Sequence, residues 1–102
     1  MIHIFVIAVD FDSTLNIKGK PNKKLIEKLI EARENGDKII LWTCREGDSL
    51  DDAVEFCSDN GLEFDSINDN IEDSKYSSRK IYADVYIDDK SVSPSYFALA
   101  WK

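Results

Sequence analysis

Histidine is nearly missing from this chain, with one copy in 102 residues, and cysteine and proline stop at two each. The lone His3 opens the first apolar segment, more than about 20 Å of extended chain from that segment's polar end, which takes it out of the catalytic candidates. Two cysteines, Cys44 and Cys57, fall in segments that read as buried, one in a strand and one on an apolar helix face. They are expected as reduced thiols rather than a disulfide framework. Basic residues are scarce: 13 Lys and Arg face 20 Asp and Glu, a net charge of −7, which disfavours a broad grip on nucleic acid through phosphate counterion release. No apolar run is long enough to span a membrane. The N-terminal run lacks a basic leader and ends in Asp, so a cytoplasmic protein without a targeting segment is expected. A Gly-rich Lys-Ser/Thr phosphate loop is absent, as are repeats and low-complexity stretches.

With 43% hydrophobic and 32% charged residues, residues 1–102 read as one ordinary globular domain. Its organising stretch is residues 2–15, IHIFVIAVDFDSTL, an apolar run that stops at Asp10 and Asp12. A strand that hydrophobic is typical of a parallel sheet buried on both faces, and its carboxyl end lies where such sheets bind ligands. The plainer reading is a solvated turn, since Asp and Ser favour turns and caps.

The rest of the chain alternates. Residues 15–22, with Gly19 and Pro21, form a loop or small hairpin, and Asn22 caps a helix over 23–35 that stops at Gly36. An apolar strand follows over 38–43. Ser49 and Asp52 resemble a capping box for a helix over 50–59, ended by Asn60-Gly61. Residues 62–67 are a weaker strand, 68–78 a polar connection, and 81–89 a fourth strand ending in Asp88 and Asp89. Asp84 lies about 13 Å back along that strand and is expected to be structural. The tail from Lys90, with Tyr96, Phe97, Leu99 and Trp101, is expected to pack on the sheet. This is the pattern of an open, Rossmann-like parallel α/β sheet in a three-layer α/β/α sandwich, with the four strands in the order 3-2-1-4.

Three of those strands end at one rim in polar residues: Asp10 and Asp12, Thr43 and Arg45, Asp88 and Asp89. Close carboxylates repel by about 4 kcal/mol per pair at an effective dielectric of about 20. Either their pKa values rise or a cation neutralises them. Oxygen ligands without His or Cys favour Mg²⁺, which commonly shares its shell with a phosphate.

AVDFDSTL resembles the first motif of the haloacid dehalogenase superfamily, an apolar strand followed by D-x-D-x-T. The strand ending LWT at Thr43, followed by Arg45, resembles the second. Lys80 upstream of Asp88-Asp89 resembles the third and fourth, with Lys75 as the other candidate lysine. Ser13 stands where many members have Gly. The ordered set spans nearly the whole chain. The resemblance implies a phosphatase in which Asp10 is the nucleophile that becomes an aspartyl-phosphate and Asp12 is the general acid and base. Thr43 would bond the transferring phosphoryl group and Lys80 would balance its charge. Asp10, Asp88, Asp89 and the Asp12 carbonyl would hold Mg²⁺, with Ser13, Thr14, Cys44 and Arg45 lining the substrate site.

No segment is long enough for a cap domain, so an open site is expected, suited to a large or flexible phosphorylated substrate or to a lid from another subunit. Two other readings stand beside it. A phosphoacceptor receiver domain also gathers aspartates, Thr and Lys around Mg²⁺, but its phosphorylated Asp follows an acidic pair on the first strand, an order this chain lacks. A Mg²⁺- or phosphate-binding module without catalysis is the third. Cys44 and Arg45 are adjacent, which excludes the loop of a cysteine phosphatase.

Overall fold

The computed structural model describes residues 3–72 and 78–101. Lys75 lies outside them. The first apolar segment pairs over β1 (Val6–Val9). It is followed by a hairpin of β2 (Asn16–Ile17) and β3 (Lys20–Pro21). Lys18 and Gly19 turn that hairpin at φ 52° and 85°, the double positive φ that matches the twist of a tight hairpin. Next come α1 (Lys23–Glu34), β4 (Lys38–Leu41), α2 (Gly47–Asp59), β5 (Ser66–Ile67), β6 (Val85–Ile87) and α3 (Pro94–Ala100).

One four-stranded sheet runs β5-β4-β1-β6, and all three of its pairings are parallel. The expected order 3-2-1-4 numbered four strands. The described residues form six because the separate hairpin takes the second and third places, which gives the sheet its different numbering. β1 is central, with Ala8 beside Ile40 and Tyr86.

The two faces of the sheet are covered differently. Val9, Ile39 and Leu41 pack with Ile26 and Leu29 of α1 and with Ala53 and Cys57 of α2. On each helix these residues recur at the helical period and so share one face. Ala8 and Ile40 on the other face pack with Ile81 and Ala83. The helix α1 starts as expected, with the Asn22 side chain accepting the Leu25 N–H.

Several expectations are corrected. The fourth strand is paired only over Val85–Ile87, because side chains serve the backbone before it: the Tyr86 hydroxyl donates to the Ile81 carbonyl and accepts the Ala83 N–H, while Asn70 accepts the Tyr82 N–H. The helix α2 begins at Gly47 after an extended Glu46, so Ser49 sits within its first turn instead of capping it. Because β4 stops at Leu41, Cys44 is exposed rather than buried, whereas Cys57 is buried as expected. Finally, α3 buries none of its residues, so the tail does not close the sheet.

Acidic side chains tie down the amino end of the sheet. Asp37 accepts from the Phe5 N–H, Asp84 from Val6 and Asp65 from Ile39, satisfying donors that the strand ladder leaves open. Asp84 is therefore structural, as its place in the sequence implied. Among the described residues no helix is long and apolar enough to cross a membrane.

Candidate active site

At the opposite, carboxyl end of the sheet the ladder delivers Asp10 and Asp88 side by side. The Asp10 N–H donates to the Ile87 carbonyl at 3.0 Å, so the last bond between β1 and β6 fixes the residue just after each strand. Carboxylate oxygens of Asp10, Asp88 and Asp89 come within 4.8 Å of one another. Burial, opposed by the Phe11 N–H and reinforced by the charges of Asp88, Asp89 and Asp12, raises the Asp10 pKa above the ordinary carboxylate value. An all-carboxylate group of this kind suits a hard divalent cation, which would relieve the repulsion that the raised pKa expresses.

Asp12 faces a different partner. Arg45 donates to both its oxygens, from Nε at 3.0 Å and Nη2 at 2.8 Å, and this hydrogen bonding holds the Asp12 carboxyl below its usual range. The same guanidinium donates to the Ser49 carbonyl and lies 4.7 Å from the centre of the Phe11 ring. Two carboxylates two residues apart are thus shifted in opposite directions, Asp10 up and Asp12 down, by the different surroundings of each.

The loop around them is tightly wound. Ser13 has φ 61°, the left-handed region that glycine tolerates best. Its N–H donates to the Asn16 carbonyl. Thr14 is buried, with its hydroxyl unpartnered among the described residues, so it sits behind the loop rather than facing a ligand.

Thr43 is set just past β4. Its N–H donates to the Asn68 side chain and its Oγ1 accepts the Arg45 N–H. With Asp10, Trp42, Cys44, Asp88 and Lys90 it lines an open hollow of about 290 Å³. Here the sequence reading missed a residue. Lys90 lines the hollow, and its Nζ lies 3.6 Å from Asp89, whereas Lys80 is exposed and makes no ion pair among the described residues. The signal was present in the tripeptide Asp88-Asp89-Lys90, where a basic residue directly follows the acidic pair. The structure thus brings together Asp10, Asp88 and Asp89, joins Asp12 to Arg45, and sets Thr43 and Cys44 on the same hollow.

No protein-family model matches the chain, and neither does any curated protein. A solved structure of a conserved protein from Bacteroides thetaiotaomicron is similar to it at 38% identity with a TM-score of 0.79, over 88% of this chain and 79% of that one.

Proposed function

The chain belongs to the family of that conserved Bacteroides thetaiotaomicron protein, and from the residues at the sheet rim we propose that it is a Mg²⁺-dependent phosphoester hydrolase of the haloacid dehalogenase superfamily. The observation that carries this reading is the convergence of the Asp10, Asp88 and Asp89 carboxylates within 4.8 Å, beside Thr43 and the Arg45–Asp12 pair. The same reading keeps the Rossmann-like three-layer architecture without a cap domain, and a cytoplasmic location.

In the first step an Asp10 carboxylate oxygen attacks phosphorus, the bond from phosphorus to the leaving oxygen breaks, and Asp12 gives that oxygen its proton. In the second, water attacks the aspartyl-phosphate, Asp12 takes the water's proton, and inorganic phosphate leaves with Asp10 restored. Thr43 bonds the phosphoryl oxygens through its hydroxyl. Lysine supplies compensating charge, Lys80 by the motif order and Lys90 by its place on the hollow. When bound, Mg²⁺ held by Asp10, Asp88, Asp89 and the Asp12 carbonyl would neutralise charge on the carboxylates and the phosphate. The Arg45 grip keeps Asp12 ionised, the form that accepts a proton. The donating form requires the pair to part, and an arriving phosphate gives the guanidinium a second anion to bond.

The test is phosphate release from a broad phosphoester panel with and without Mg²⁺. Release that needs Mg²⁺ and disappears in Asp10→Asn is the expected result. No release from any ester would overturn the reading, and stable phosphorylation of Asp10 by a small phosphodonor without turnover would favour a receiver-like role.

A further inference from the structure

Residues 91–101 contain no charged side chain in a protein where 32% of residues are charged. They form α3 with its flanks. Ser93 caps the helix by accepting the Tyr96 N–H at 3.1 Å, and Pro94 occupies its first turn. An uncharged helix that is apolar all round is normally buried. This one is bare: Leu99 is 89% exposed, Trp101 72%, and Val92, Tyr96 and Phe97 about half.

We propose that α3 is the surface through which two copies of this chain associate. Large apolar side chains present on the order of 200 Å² each when fully exposed. At the observed exposures these five therefore offer roughly 600 Å² per copy, or roughly 1,200 Å² over a symmetric pair, the size at which stable interfaces begin. The helix also carries an apolar hollow. Phe97 and Trp101 stack at 4.9 Å and 17°, and with Val92, Tyr96, Ala100 and Lys90 they line a hollow of about 410 Å³. Leu99, outside that lining, is a free knob on the same helix. Charge points the same way. Each copy carries −7, so faces rich in Asp and Glu repel one another, and the uncharged helix is where two copies meet without that cost. Lys90 lines both this hollow and the one containing Asp10, so the interface borders the mouth of the acidic cleft.

Sedimentation velocity on the whole chain at tens of micromolar tests this. The expected species has twice the 11.7 kDa of one chain, and Leu99→Glu and Trp101→Glu return it to a folded monomer, because α3 contributes nothing to the core. A wild-type monomer would overturn the proposal, whether the helix then folds onto its own sheet or serves a membrane or another protein. A dimer that survives both substitutions would also overturn it and would point to the exposed edge strand β6. Should either variant fail to fold, Trp101 fluorescence in a Trp42→Phe background decides. Emission that shifts to the blue as concentration rises supports the interface, and concentration-independent emission refutes it.

Discussion

Arg45 holds Asp12, 33 residues earlier in the sequence, by two parallel hydrogen bonds at 3.0 and 2.8 Å. The pair ties the loop after β1 to the start of α2, yet half of the Asp12 side chain is exposed. Such a pair adds little stability, and Arg45→Ala should cost under about 1 kcal/mol. Its effect on activity should be far larger. Loss of a charged hydrogen bond to phosphate predicts a fall of about ten- to a hundred-fold in kcat/KM. Steady-state kinetics beside urea denaturation separate the two effects, and an unchanged kcat/KM would remove Arg45 from the site.

Asp10 answers to metal and to pH together. Its folded pKa lies above the unfolded one, so the native state binds more protons, and without metal its contribution falls as pH rises from the ordinary carboxylate range upward. Asp10→Asn should therefore raise the thermal midpoint at neutral pH in chelator while abolishing turnover. Added Mg²⁺ should raise the midpoint of the wild type, since a ligand that binds only the folded state stabilises it, and leave Asp10→Asn nearly unmoved. Equal Mg²⁺ responses in the two proteins would show that the cation binds elsewhere.

Thr14 has a buried hydroxyl without a partner among the described residues, and an unpaired buried polar group is a cost rather than a support. Thr14→Val keeps the shape and removes that cost. Its unfolding free energy from urea titration should be unchanged or raised, by up to about 1 kcal/mol. A clear loss would mean that the hydroxyl has a bonding role.

The two cysteines should separate cleanly by reactivity. Cys44 is exposed and Cys57 buried, and burial first, then the Glu63 charge, pushes the Cys57 thiol up to about 11. A disulfide reagent should label one thiol quickly in the native protein and the second only on unfolding. The folded thiol holds its proton more tightly than the unfolded one, so stability is full below the unfolded value of 9.0 and declines as pH climbs from there to about 11. The decline should be on the order of 2 kcal/mol and should be absent in Cys57→Ala.

The rim aspartates and the opposite role of Asp84 could be read from the chain because an apolar strand that ends in Asp places its carboxylate by simple rise per residue. Side chains that replace backbone pairing could not be read this way. Ile81 and Ala83 have strand-like sequence and are buried, but Tyr86 occupies their backbone groups and Asn70 the N–H of Tyr82 between them, contacts visible only once the turn is folded. Cys44 was misplaced for a related reason. Leu41, Trp42 and Thr43 continue a β-favouring run, and only the register with β1 and β5 shows where pairing stops. For α3, composition predicts burial without saying against what, and its exposure in a single chain was illegible.

Lys80 and Lys90 make competing claims to the same charge. Motif order favours Lys80, while geometry favours Lys90, which lines the hollow with Asp10, Thr43 and Asp88. The Lys90 ammonium is already 3.6 Å from Asp89 but remains mostly exposed, so the ion pair itself stabilises the fold little. Lys90→Met and Lys80→Met should therefore unfold at nearly wild-type urea concentrations, and their kinetics decide between them. If Lys90 neutralises the phosphoryl group, its loss lowers kcat/KM about ten- to a hundred-fold while Lys80→Met stays near wild type. The reverse result would return the role to Lys80, and would require that side chain to swing over the cleft when substrate binds.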